Sequence, residues 1–137
     1  MRILVLSKGG GVSDQIIRLV GRCPAWEVVG GMSCEKALAG YPFKVPLDMV
    51  LAIMGRLDAS PVQIISAIRD KFGDSKILAV SDQLDSRLVL RIIHAGANGY
   101  MILDRTSEEL TAAIETVVAG GLYLSPGIAG LEGRRPA

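Results

Sequence analysis

The sequence predicts an α/β fold in which a doubly wound parallel sheet is covered by helices on both faces. Its 137 residues contain five short apolar runs, and stretches with helical periodicity separate them. Such alternation is typical of parallel sheets, because consecutive parallel strands need a crossover connection. Half of the residues are apolar but only 4% are aromatic, so Leu, Ile, Val and Ala must fill the core. A chain of this length forms one domain that buries roughly two thirds of its unfolded surface.

Each predicted strand is a nearly continuous apolar run, which indicates burial on both faces of the sheet. The five runs are residues 3–6, 26–29, 49–53, 77–80 and 100–103.

Capping residues and apolar side chains three or four positions apart predict five helices. Ser13 caps the first helix, which buries Ile16, Leu19 and Val20 and ends at Gly21. The second helix, at 34–39, is short because glycine and proline residues follow it.

The remaining helices carry clearer start and stop signals. Pro61 follows Ser60 at the first position of the third helix, and Gly73 ends it. The fourth helix covers 84–95 before Gly96. A capping box opens the fifth helix, whose predicted buried side is Leu110, Ile114, Val117 and Val118. Residues 122–126 resemble a final cap and the start of another short helix.

Charge and composition restrict the partners. The net charge of +1 gives no electrostatic reason to expect nucleic acid or membrane contact by this segment. No apolar run reaches the roughly 18 residues of a membrane span, and the first strand begins without a leader-like segment. We therefore expect a cytoplasmic protein in which Cys23 and Cys34 are free thiols.

The ligand site of such a sheet lies outside the carboxyl ends of its strands. Ser7 and Lys8 follow the first strand, Ile53 ends the third, and Leu103 ends the fifth. None of these residues is an acid. The sequence therefore predicts a non-enzymatic domain with no cofactor and no metal at this edge.

The order and spacing of these elements resemble the receiver domains of two-component response regulators, most closely the NarL/FixJ type. The likeness runs from residue 2 to about 126. Its most specific stretches are PAWEVVG at 24–30, RIIHAGANGY at 91–100, TSEEL at 106–110 and YLSP at 123–126. The resemblance implies a CheY-like, flavodoxin-like sheet of strand order 2-1-3-4-5 with five helices. It also implies a receiver-like domain at 1–121, with 122–137 as a tail or a linker to an output domain.

Receiver domains transfer a phosphoryl group onto an aspartate at the end of the third strand, and acids after the first strand hold Mg²⁺. Carried over by position, the nucleophile falls on Ile53 and the acid pair on Ser7 and Lys8, while the charge-balancing lysine falls on Leu103. These are degenerate phosphorylation-pocket positions. Two switch positions keep the family's residue type, namely Ser81 and the aromatic Tyr100.

An alignment slip could place Asp48 or Asp58 at the nucleophile position. Asp48 begins the third strand and is therefore expected at the wrong edge of the sheet. Asp58 lies five residues beyond Ile53, and so large a slip would break the match of the next helix. We expect Ile53 and Leu103 to form an apolar plug.

Lys8 allows two interpretations. Its aliphatic stem could lie on the plug while its ammonium reaches towards Asp58 or Asp82, or the side chain could be solvated without a fixed partner.

Two other signals are weaker. The segment SKGGGVS at 7–13 resembles a phosphate-binding loop but lacks the Lys-Ser/Thr pair of ATPase loops, so a flexible connection is favoured. His94 has no metal-ligating residue at suitable spacing.

The fourth helix has more apolar residues than one buried stripe needs, and exposed apolar side chains mark contact sites. We expect a partner protein or a second copy to bind through the fourth helix, the fifth strand and the fifth helix. The predicted interface residues are Leu84, Leu88, Leu90, Arg91 and Tyr100.

The sequence therefore predicts a pseudo-receiver that acts in signal transduction or transcriptional regulation through protein contacts. Any fused DNA-binding output domain would lie outside this chain. The alternatives are a receiver-like interaction domain of a larger assembly, such as a pilus-assembly ATPase, and a small-ligand or nucleotide sensor that uses the glycine-rich loop.

Overall fold

The structure is a computed structural model that describes residues 1–7, 11–32, 47–54, 61–81, 85–103 and 106–125. The predicted helix at 34–39, together with Cys34, lies outside these residues. Cys23 is half-buried and is a free thiol.

A parallel sheet of six strands forms the centre of the described fold, in the order β2-β1-β3-β4-β5-β6. The predicted order 2-1-3-4-5 is confirmed, and one further strand lies beside β5. The strands are β1 Arg2–Leu6, β2 Glu27–Met32, β3 Met49–Met54, β4 Lys76–Ser81, β5 Gly99–Ile102 and β6 Tyr123–Leu124.

Four helices connect these strands within the described residues. They are α1 Gly11–Gly21, α2 Pro61–Phe72, α3 Ser86–Ala95 and α4 Thr106–Val118. They correspond to the first, third, fourth and fifth helices that the sequence predicts.

The strands alternate between two apolar clusters because successive side chains point to opposite faces of a sheet. Helices α2 and α3 cover the first cluster on one face of the sheet. Helices α1 and α4 cover the second cluster on the other face. The first cluster includes Leu4, Leu6, Val50, Ala52, Met54, Ile65, Ile68, Ile77, Ala79, Val89, Ile92 and Tyr100. The second includes Ile3, Val5, Ile16, Val20, Met49, Leu51, Ile53, Leu78, Val80, Met101, Leu110, Ala113, Ile114 and Val117.

The helix ends agree with the sequence at some positions and differ at others. Pro61 begins α2, and Gly73 follows it with φ 53°, as predicted. The predicted cap Ser13 is wrong, because α1 already begins at Gly11 and Ser13 lies within its first turn. Serine is tolerated there because the N–H groups of a first turn have no partner inside the helix.

Two features of α3 and α4 were not apparent in the sequence. Asp85 caps α3, because its Oδ1 accepts hydrogen bonds from the N–H groups of Arg87 at 3.0 Å and Leu88 at 3.4 Å. Val118, which was predicted to face the core, is 46% exposed. It lies one position beyond Val117, and a step of one residue turns a side chain about 100° around the helix axis.

The segment after α4 differs most from prediction. Residues 122–126 were expected to begin a short helix, but Tyr123 and Leu124 form β6, with Tyr123 beside Gly99 and Leu124 beside Tyr100. The predicted boundary after residue 121 therefore precedes a strand that belongs to the sheet. Gly99 makes this pairing possible, since a Cβ there would lie 3.1 Å from the carbonyl oxygen of Tyr123.

Arg69 fastens the carboxyl end of α2 to the loop that follows α3. Its guanidinium donates hydrogen bonds to the carbonyl oxygens of Gly73, of Ser75 at 2.6 Å and of Gly96 at 2.6 Å. It also donates to the Asn98 Oδ1 at 2.9 Å. Five donors in a planar group suit such a cluster of acceptors.

We predict that Arg69→Ala lowers the free energy of unfolding by about 2 kcal/mol, because partly buried acceptors lose a charged donor. Urea denaturation measures this change. Arg87→Ala, at an exposed position of α3, is the control and should change stability by less than about 0.5 kcal/mol. Equal stability of the two variants would contradict the role assigned to Arg69.

Candidate functional site

The carboxyl ends of the central strands meet at one edge of the sheet, as predicted. Ile53 lies beside Val80, Met54 lies beside Ser81, and Ser81 lies beside Ile102. Ser7 and Leu103 directly follow β1 and β5. The structure thus places Ser7, Ile53, Ser81 and Leu103 at this edge, which we call the ligand edge. Lys8, Asp58 and Asp82 lie outside the described residues, so neither interpretation of Lys8 is tested.

The ligand edge is nearly closed to solvent at the described positions. Ile53 is only 7% exposed, as is Ser7, and Ser81 is 1% exposed. Leu103 is partly buried and packs against the same cluster that contains Ile53. These two residues therefore share one apolar environment beside α1 and α4, which agrees with the expected plug.

The two switch-type residues lie towards the other face of the sheet. Tyr100 is fully buried in the cluster under α2 and α3. Ser81 lies two positions beyond Ala79, which belongs to that cluster, so the alternation of the strand directs it to the same face. The sheet therefore separates the apolar plug from the two hydroxyl groups.

At the described strand ends, the side chains of Ile53 and Leu103 carry no group that could attack phosphorus or bind a metal ion. A serine, an isoleucine and a leucine do not fit Mg²⁺, which prefers several oxygen ligands including carboxylates. Within the described ranges, no group of three or more His, Cys, Asp or Glu side chains could hold a metal ion.

Asp48 lies at the opposite edge, as the sequence suggested. Its Oδ2 accepts a hydrogen bond of 2.7 Å from the N–H of Arg2, at the start of β1. Its carbonyl oxygen accepts one of 3.0 Å from the N–H of Lys76, at the start of β4. Asp48 thus joins the amino ends of three strands and cannot act at the ligand edge.

A groove that the sequence did not reveal lies at this amino-terminal edge. Its volume is about 560 Å³, and it is lined by Met1, Leu47, Asp48, Asp74, Lys76 and Val118. Its residues come from separate segments of the chain, so no local motif could have indicated it.

The predicted partner surface is only partly present on the exterior. Arg91 is exposed, while Leu88 and Leu90 are half-buried and Leu84 lies outside the described residues. Tyr100 offers no surface in this conformation, because its side chain lies in the core and β6 covers the neighbouring edge of β5. His94 is exposed in the last turn of α3.

Sequence reasoning also missed a buried polar cluster between α4, β5 and β6. Glu109 is 7% exposed, and its Oε1 accepts hydrogen bonds from the Tyr123 hydroxyl at 2.5 Å and the Ser125 hydroxyl at 2.8 Å. The N–H of Ile102 donates to the Ser125 Oγ at 2.7 Å. In the sequence, Glu109 is the last residue of the capping box at 106–109, and only the tertiary structure brings it beside residues 14 and 16 positions later.

Among the described residues, no helix is both long enough and apolar enough to span a bilayer.

Comparison with known proteins adds sequence relatives. No family model matches the chain. It is 33% identical over 119 residues to the transcriptional regulatory protein UhpA of Salmonella typhimurium, and the match covers 86% of this chain and 59% of UhpA. The chain therefore spans about three fifths of that relative.

Solved structures give the same picture. A two-component response regulator of the LuxR family from Aurantimonas sp. SI85-9A1 superposes with a TM-score of 0.84 at 28% identity, covering 97% of this chain and 96% of that one. The isolated REC domain of RcsB from Salmonella enterica serovar Typhimurium superposes with a TM-score of 0.81 at 12% identity, covering 98% and 99%. RcsB has also been solved as two dimers bound to two parallel DNAs, with a TM-score of 0.83 at 13% identity, covering 100% of this chain and 70% of that one.

The apolar ligand edge gives a direct prediction for Ile53. Ile53→Val should lower the free energy of unfolding by about 1 kcal/mol and Ile53→Ala by about 2–4 kcal/mol, because a cavity replaces buried methyl groups. Ile53→Asp should cost more than Ile53→Val, because it places a carboxylate within an apolar cluster of the described residues. Chemical denaturation measures all three.

The exposed Val118→Ala is the matched control and should cost less than about 0.5 kcal/mol. A variant Ile53→Asp as stable as the wild type would contradict the account of this edge.

Proposed function

We propose that the chain is a receiver domain of the LuxR/NarL-type two-component response regulators, that it takes up no phosphoryl group and that it signals through protein contacts alone. Receiver domains are signalling modules rather than enzymes. The observation that carries the proposal is the buried Ile53 at the position of the phospho-acceptor, within an apolar cluster.

Phosphoryl transfer to a protein needs an oxygen, nitrogen or sulfur atom that can attack phosphorus. The side chain of Ile53 has none. Ser81 does carry a hydroxyl, but it is only 1% exposed, so a phosphodonor in solution could not reach it.

The substitutions support one another. A lysine at position 103 would need a buried counter-charge, and a buried charge without a partner is costly. Leu103 instead packs against the cluster that contains Ile53. The loss of the acid and the loss of the base therefore leave no stranded charge at these two positions.

Without a covalent mark, a domain can change its conformation only through a ligand that binds one conformation more tightly than another. We propose that a protein partner fulfils this role. The exterior of α3 offers the exposed Arg91 next to the half-buried Leu90, a combination suited to a protein interface.

We further propose that this domain works in transcriptional regulation, in the cytoplasm, with a DNA-binding output segment outside the chain. UhpA is named as a transcriptional regulatory protein, and the present chain matches only 59% of its length. The net charge of +1 does not favour DNA contact by the domain itself.

Incubation with acetyl phosphate and Mg²⁺ tests the main proposal. Intact-mass spectrometry should show no phosphorylated species, because the nucleophile is missing. A receiver domain that retains the aspartate is the positive control and should be labelled under the same conditions. Stoichiometric labelling of this chain would refute the proposal.

The proposed interface predicts weak self-association through α3 at high micromolar concentration. Arg91→Glu should shift the weight-average mass in light scattering towards the monomer, since it reverses a charge at the contact. Arg22→Glu, exposed after α1, should leave the mass unchanged. A wild-type chain that stays monomeric, or equal effects of both variants, would argue against dimerisation through this face.

A further inference from the structure

The strand β6 is too short to be held by backbone pairing alone. It comprises two residues, and its pairing rests on hydrogen bonds from the N–H of Tyr123 to the Asn98 carbonyl at 3.4 Å and from the N–H of Ser125 to the Tyr100 carbonyl at 3.0 Å. Short strands at a sheet edge are marginal without further contacts. Something else must hold this segment in place.

Glu109 supplies that hold. Its Oε1 receives the hydroxyls of Tyr123 and Ser125, on either side of Leu124. Ser125 is fully buried, so its bond to Glu109 is shielded from competing water, while the bond from Tyr123 is partly buried. One carboxylate of α4 therefore fixes both ends of β6.

The same serine also joins β6 to the ligand edge. The Ser125 Oγ donates to Glu109 and accepts the N–H of Ile102 at 2.7 Å. Ile102 is the last residue of β5, and Leu103 of the plug follows it directly. A continuous path of hydrogen bonds thus runs from α4 through Ser125 to the residue beside the plug.

We propose that this cluster of Glu109, Tyr123 and Ser125 is a lock that couples the ligand edge to β6. A partner that displaces residues 102–103 must break the bond between Ile102 and Ser125. Breaking it weakens the hold of Glu109 on β6, because the Ser125 hydroxyl that accepts from Ile102 also donates to the Glu109 Oε1. This lock rests on the proposed function, since it would transmit partner binding at the ligand edge to β6 in a domain that is not phosphorylated.

The cost of partial opening makes the coupling cooperative. If Ser125 moves away, Glu109 stays buried but loses one hydrogen-bond donor. A buried polar group without that donor is unfavourable, because it remains desolvated without compensation. The segment is therefore expected to open as a unit.

Amide hydrogen exchange by NMR on the full 137-residue chain tests the lock. Ser125→Ala and Tyr123→Phe each remove one donor to Glu109 while keeping the side chain's bulk nearly unchanged. Ser125→Ala should raise the exchange rate of the Ile102 amide about tenfold or more, and both variants should do so for the amide of residue 125. The amides of Leu4 and Leu51, in β1 and β3, should stay within about twofold of the wild type.

A further variant and two controls separate coupling from general loosening. Leu103→Ala alters the ligand edge without replacing a member of the lock, and it should raise exchange at Ser125 about threefold or more. Val118→Ala, exposed and closer in sequence to β6, should leave that amide within about twofold. Glu115→Gln, exposed on α4, should also have no effect on it.

The lock is overturned if Ser125→Ala leaves the Ile102 amide unchanged, or if Leu103→Ala leaves the Ser125 amide unchanged. These measurements use no phosphate and no Mg²⁺. Phosphorylation by acetyl phosphate together with the expected exchange pattern would refute the proposed function and support the lock. No phosphorylation together with unchanged exchange would support the proposed function and refute the lock.

Discussion

A charge buried at the carboxyl ends of a parallel sheet is tolerated only when an opposite charge or a metal ion neutralises it. That constraint shapes the described part of the ligand edge of this domain. A buried carboxylate without a cation costs several kcal/mol, and so does a buried ammonium without an anion. Ile53 and Leu103 avoid both costs by placing hydrocarbon in one shared cluster. The sheet then gains apolar burial at these two positions, worth roughly 25 cal/mol per Å².

Three polar side chains away from that edge organise other parts of the described fold. Asp48 joins the starts of strands at the amino-terminal edge. Arg69 fastens α2 to the loop after α3. Glu109 fastens β6 to α4. Each of these side chains forms hydrogen bonds with another segment of the chain. Each therefore fixes the position of that segment.

The sequence predicted the fold well where local signals decide the outcome. Apolar runs identified β1 to β5, and Pro61, Gly73 and Gly96 marked helix ends because their backbone preferences act within a few residues. It failed at β6, since two residues carry no periodicity and the strand contacts Gly99 and Glu109, which lie far from it in the sequence. The candidate site was predictable in its residue types, because strand ends can be counted. Burial of Tyr100 and the groove beside Asp48 required the tertiary structure.

The central claim is that hydrocarbon has replaced the charged pocket at the ligand edge. The most direct measurement is a titration of the ¹⁵N-labelled domain with Mg²⁺ and beryllofluoride, a mimic of the phosphoryl group. The account predicts that the amide signals of Ser7, Ile53, Ser81 and Leu103 do not move. Saturable shifts of these signals, dependent on both Mg²⁺ and beryllofluoride, would contradict it.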